Sequence, residues 1–151
     1  MCTNNGERLR TMRSSTPYNL FIFVISTFSI ASVAFSCGLT AKWNVSVISA
    51  IGEDIVAHIK SGDDDLGNHT IPYVGIYSWS FCENFGGGTV FYGYFWWGSK
   101  FQSLALIDNN IERRCYFDNV ATQRCYWFVK PDGFYVSRYP NGGGELIKHW
   151  D

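Results

Sequence analysis

Lys60-Ser61-Gly62-Asp63-Asp64-Asp65-Leu66-Gly67, and after it Tyr77-Ser78-Trp79-Ser80-Phe81, decide the class of fold. The first run is a polar turn and the second a half-buried strand. Val74, Ile76 and Ser78 fall on one face and Tyr77, Trp79 and Phe81 on the other, which is the two-residue period of a pleated strand. Working outward, the same kind of segment recurs at 42–50, 54–60, 71–81, 89–97, 99–107, 112–117, 124–129, 134–138 and 145–150. Between them stand Gly86-Gly87-Gly88, Gly98-Ser99, Asp108-Asn109-Asn110, Lys130-Pro131-Asp132-Gly133 and Asn141-Gly142-Gly143-Gly144, which supply the backbone freedom or preset dihedrals that chain reversal needs. No segment carries a helical period. The pattern predicts an all-β protein, a small antiparallel β-sandwich.

Arg8, Arg10 and Arg13 precede an apolar stretch from Leu20 to Phe35, with Ala34 and Ser36 at the small-residue positions of a cut before Cys37. That layout predicts a signal peptide over 1–36, export to the extracellular space and one mature domain over 37–151. The stretch is diluted by hydroxyls and shorter than the roughly 20 residues a membrane span needs, so no stable membrane insertion is expected after cleavage. Without the leader the chain holds nine Lys plus Arg against twelve Asp plus Glu. With no basic stripe to neutralise a phosphate backbone, nucleic acid is not an expected partner. Asn44-Val45-Ser46 and Asn68-His69-Thr70 are acceptor sequons for glycans at Asn44 and Asn68.

Four cysteines remain beyond the cut: Cys37, Cys82, Cys115 and Cys125. An even number in a small secreted domain predicts disulfides, with three connectivities open. Asp63-Asp64-Asp65 invites a calcium reading, but the alternating ligands and distant Glu of the familiar loop are missing, and a structural turn is expected. Asp65 then accepts from turn amides, Leu66 plugs the core and Gly67 gives backbone freedom. His58, His69 and His149 have no neighbours at zinc-ligand spacing, and no nucleophile, base and orienting carboxylate are signalled together. The glycine runs lack the Lys-Ser/Thr of a phosphate loop. No catalytic residue, metal ligand or cofactor is predicted. Within Phe91 to Trp97, Phe91, Phe95 and Trp97 are expected in the core, with Tyr94 and Trp96 as contact residues.

Lys60-Ser61 with Asp63 to Gly67, Tyr77 to Phe81, Thr89-Val90-Phe91-Tyr92, Cys125-Tyr126-Trp127, Asp132-Gly133-Phe134-Tyr135 and the Lys148-His149-Trp150 ending jointly resemble the plant self-incompatibility protein family, the S-protein homologues. The resemblance runs from about Trp43 to Trp150. It implies a secreted, non-enzymatic recognition or signalling ligand, the founding members being stigma-borne ligands that a pollen receptor recognises to reject self pollen. It therefore implies a cell-surface receptor as partner, met by loop residues such as Asp63, Asp64, Asp108, Asn109, Asn110, Asp118 and Asn119. The alternative class is a carbohydrate-binding β-sandwich with Tyr94 and Trp96 as a sugar platform.

The resemblance also pairs Cys115 with Cys125, which match the last two cysteines of the family. Its two earlier cysteines are replaced by Ile59 and Gly93. Their joint loss implies that the two positions face each other across the sandwich, with Ile59 refilling volume beside Gly93. Cys37 and Cys82 lie outside the family pattern: they bond to each other, or Cys82 pairs between chains or stays a half-buried thiol.

Overall fold

A computed structural model describes residues 37–141 and 143–151. The leader expected over 1–36 lies outside the described residues. The rest folds as two sheets. One has the order β4-β1-β7-β8-β9, with β1 (Lys42–Ser49), β4 (Ile76–Cys82), β7 (Thr122–Lys130), β8 (Gly133–Ser137) and β9 (Glu145–Lys148). The other has the order β3-β2-β5-β6, with β2 (Ile55–Ser61), β3 (Asp65–Ile71), β5 (Phe91–Trp97) and β6 (Lys100–Ile107). The all-β, disulfide-linked two-sheet class is as the sequence predicts.

Alternation builds the core. Trp43, Val45 and Val47 of β1, Trp79 and Phe81 of β4, and Trp127 and Val129 of β7 point inward. Ile55, Ala57 and Ile59 of β2, Phe91 and Phe95 of β5, and Leu104 and Leu106 of β6 meet them from the other sheet. Aromatic rings bridge the layers: Phe81 lies 4.8 Å from Phe91, and Phe95 lies 4.9 Å from Phe134, centroid to centroid. Burying one such ring contributes about 2 to 3 kcal/mol. The Trp127 indole N–H also crosses the core, donating to the Leu106 carbonyl at 2.9 Å. A buried tryptophan thereby keeps its polar edge satisfied.

Four expectations need correction. The strand expected at 112–117 is a helix, α1 (Asn109–Cys115), because the Asp108 carboxylate caps it, accepting from the amides of Asn110 and Ile111 at 2.9 and 2.8 Å. Asp108-Asn109-Asn110 is thus a cap and a first helical turn. The strand expected over 71–81 is interrupted: Pro72 lacks the amide a ladder needs, and Val74 turns back at φ 54°. Val74 therefore sits in a turn, while the alternation holds, with Trp79 and Phe81 buried and Tyr77 half-buried on one face and Ile76 and Ser78 exposed on the other. The β1–β7 pair is parallel, with Val45 opposite Cys125.

Lastly, Ile59 and Gly93 do not face each other across the sandwich. They are cross-strand partners within one sheet, which places their α-carbons about 4.5 to 5.5 Å apart. The space a side chain at Gly93 would need is taken by the Phe95 ring and a Leu106 methyl.

Candidate functional site

The strand ends gather the loops. Register places the start of β1 beside the end of β4 and the start of β7, through Lys42 with Cys82 and Thr122. In the other sheet, the end of β2 meets the start of β5, which meets the end of β6, through Ser61, Phe91 and Ile107. The β2–β3 turn, the β4–β5 loop, the cap of α1 and the α1–β7 loop therefore all emerge at one pole. That pole carries all seven loop residues read from the sequence: Asp63, Asp64, Asp108, Asn109, Asn110, Asp118 and Asn119. Asp108 is half-buried as a cap; the other six are exposed.

Each loop is internally braced. Ser61 Oγ accepts from the Asp64 amide at 2.9 Å, and the Ser61 amide donates to the Asp64 carbonyl at 2.7 Å. Asp65 accepts from the Gly67 amide at 2.8 Å and from His58 at 2.7 Å, and both bonds hold its carboxyl below the usual carboxylate value, that of His58 foremost. Gly67 has φ 79°, a conformation that disfavours a side chain. Thr89 Oγ1 accepts from the Asn84 amide at 2.9 Å and closes the β4–β5 loop. Its tip passes through three consecutive positive φ values at Gly86, Gly87 and Gly88, leaving Phe85 85 % exposed. Gln123 brackets the α1–β7 loop, donating to the Phe117 carbonyl and accepting from its amide, both at 2.8 Å.

Two disulfides tie the same pole. Cys115 is joined to Cys125, linking the end of α1 to β7 with α-carbons 5.2 Å apart. Cys37 is joined to Cys82, linking the segment before β1 to the end of β4. Neither an interchain bond nor a free thiol at Cys82 is present.

Clefts run between these loops. One of about 340 Å³ is lined by Asp63 and Asp64 on one side and Asn84, Gly88, Thr89 and Val90 on the other. Gly88 and Val90 also line a second with Asp108, Asn109 and Asn110. Asn109 continues into a third of about 300 Å³, lined by Trp43, Glu83, Glu112, Arg113 and Tyr116. Burial foremost, then the charges of Glu83 and Asp108, push the Glu112 carboxyl up to about 7. The Trp43 indole N–H and Glu112 Oε1 are both buried there without a hydrogen-bond partner. Glu83, Glu112 and Trp43 were not singled out in the sequence. The Asp108 cap with Ile111 and Cys115 four apart was the available signal for the helix that carries Glu112.

The other sequence-marked residues lie apart. Asn68 is exposed on edge strand β3, while Asn44 sits on inner strand β1, its amide donating to Ser80 Oγ at 3.1 Å. Tyr94 and Trp96 share the outer face of β5, Trp96 being 39 % exposed and Tyr94 half-buried, with Phe95 in the core and Trp97 half-buried. His69 bonds the Leu66 carbonyl and stacks on Tyr77, and His149 bonds the Asp132 carbonyl. Among the described residues no serine, threonine or cysteine is hydrogen-bonded to a histidine, and no cluster of three or more His, Cys, Asp or Glu is arranged to hold a metal ion.

The chain is 32 % identical to S-protein homolog 5 of Arabidopsis thaliana over 100 residues, covering 64 % of this chain and 73 % of the relative. It is 26 % identical to S-protein homolog 1 of the same plant over 113 residues, covering 74 % and 73 %. S-protein homolog 74 is 26 % identical over 118 residues, covering 73 % and 72 %. No solved structure matches. The family model of plant self-incompatibility protein S1 matches residues 44–150, and the chain belongs to that family.

Proposed function

We propose that this protein is a secreted, non-enzymatic recognition ligand whose loop-bearing pole is read by a cell-surface receptor. One observation carries the reading: four chain segments far apart in sequence emerge side by side, three with tips of Asp and Asn and one with the exposed Phe85, each braced by its own hydrogen bonds. A braced loop loses little conformational entropy on binding, so its contacts translate more fully into affinity. Asp63, Asp64, Glu83 and Asp118 stand there with Lys42, Arg113 and Arg124, a small excess of carboxylates that favours a receptor surface carrying Lys or Arg. Family membership and two disulfides support export. Pollen rejection is one setting for such a ligand among other cell-to-cell signals.

The test is saturable binding of the purified secreted chain to cells of the tissue that expresses it. Replacing Asp63, Asp64 and Asp118 by Ala, and Asn119, whose φ of 60° suits glycine better than alanine, by Gly should abolish binding without lowering the melting temperature. Unchanged binding by that variant would end the proposal.

A second reading, a carbohydrate-binding module, draws on the exposed aromatic face of β5. Glycan-array binding that disappears with Trp96→Ala would favour it.

A further inference from the structure

The outer face of the four-stranded sheet carries a row of rings that runs away from the recognition pole, starting at Tyr92, which also lines the cleft beside Asp63 and Asp64. Tyr92, Trp96 and Phe101 are each more than a third exposed, and Trp96 packs on Phe101 at 5.4 Å. Lys60 stands 5.1 Å above the Tyr94 ring, and His58 lies 6.1 Å from it with its imidazole pinned by Asp65. A contiguous aromatic patch of this kind on a small extracellular protein calls for a cover.

Register supplies one. Asn68 pairs with His58, and His58 with Tyr94; Thr70 pairs with Val56, and Val56 with Trp96. The asparagine and hydroxyl residue of the second sequon are therefore the edge members of the two rows whose interior members are Tyr94 and Trp96. Both are exposed and on the same face as the rings. Two strand spacings, about 10 Å, separate Asn68 from Tyr94, a gap that the first two sugars of an N-linked chain span. Asn68 also stands on an edge strand, where bulk blocks pairing with another chain. Asn44 differs: its amide bonds Ser80, its sequon hydroxyl Ser46 is buried 2.8 Å from Ser78 Oγ, and no aromatic row adjoins it on β4.

We infer that an N-linked glycan on Asn68 folds back across β2 and lies over the His58, Tyr94 and Trp96 surface, so that the occupant of this face is the protein's own carbohydrate. Sugar rings offer C–H faces to the aromatic side chains and hydroxyls to Lys60 and the tyrosine phenols, matching the amphipathic character of such rings. The inference rests on the secretion contained in the reading above, since the glycan is added only in the secretory route.

The full chain secreted from plant cells provides the test, with peptide mass spectrometry at Asn68, binding of the dye anilinonaphthalene sulfonate, and sedimentation. Asn68 is expected to be occupied and the glycoprotein to be monomeric with little dye bound. Enzymatic removal of the glycan from the folded protein, and separately Asn68→Gln and Thr70→Ala, should raise dye binding and self-association. Trp96→Ala added to Asn68→Gln should cancel that rise. Secretion with Asn68 unmodified, a stripped protein that behaves like the glycoprotein, or a rise that survives Trp96→Ala would overturn the inference and leave the ligand reading standing. Glycoprotein that already self-associates through Trp96 would give the face to a second copy and overturn it as well. Retention of the chain inside the cell would overturn both.

Discussion

Gly93 shows what a single residue contributes here. Phe95 and Leu106 have closed over the position where the family resemblance places a cysteine, so even a methyl group has no room. Gly93→Ala should cost about 1 to 3 kcal/mol in urea unfolding by overpacking, while Gly62→Ala, with nothing within 4 Å of its added β-carbon, should be close to neutral. Equal stabilities for the two variants would mean that the Phe95 ring swings aside freely. Glu112 sets a pH dependence of definite sign. Its folded carboxyl holds a proton that the unfolded chain releases, so its contribution is complete below about 4.5 and is lost as pH rises through about 7. The melting temperature should therefore fall across that window, and Glu112→Gln should flatten the fall. A profile identical in the variant would show that Glu112 is not the titrating group. Alternation grouped Phe91, Phe95 and Trp97 on one face and Tyr94 and Trp96 on the other; the choice of Phe91 and Phe95 for the core holds, while Trp97 is half-buried. The closure over Gly93 was not legible in the sequence, because it depends on Leu106 arriving from β6.

At the scale of elements, α1 and the Pro72 break are where the sequence misled. A helix of seven residues completes too few turns to display a period, and only Ile111 and Cys115 mark its buried side. What makes it helical is its start: Asp108 satisfies two amides that would otherwise be orphaned. Asp108→Ala should destabilise the fold by about 1 kcal/mol, read by urea denaturation, and should increase hydrogen exchange over 109–115. Undiminished protection there would mean that the Cys115–Cys125 bond alone holds the helix. The β3–β2 edge was hidden for another reason. The Asp65-Leu66-Gly67 stretch reads as turn because of its composition, yet it joins the ladder through a register shift between Ile59 and Lys60.

At the scale of the molecule, the Cys37–Cys82 bond closes a long loop, with 45 residues of separation against 10 for the other bridge. Cys37→Ala with Cys82→Ala should cost roughly 4 kcal/mol by the chain-entropy estimate and loosen the β4–β5 loop, as seen by hydrogen exchange. A loss under about 1 kcal/mol would assign the anchoring of that loop to Thr89 instead. Asp65, held down by its His58 bond, and Asp132, held down by the hydroxyl that Tyr135 donates to it, have the opposite pH behaviour to Glu112: their lowered carboxyls contribute above the ordinary carboxylate range and lose that contribution in strong acid. By itself the sequence determined the sheet class, the alternation within the strands and the reversals at Gly86 to Gly88, Gly98-Ser99 and Pro131-Asp132, because a two-residue period and glycine or proline turn chemistry are local properties. Only the tertiary structure decided that β1 runs parallel to β7, that Cys37 is the partner of Cys82, and that seven scattered polar residues share one pole with Asn68 beside an aromatic row. Those facts follow from which strands pair over long separations, and no local pattern encodes that choice.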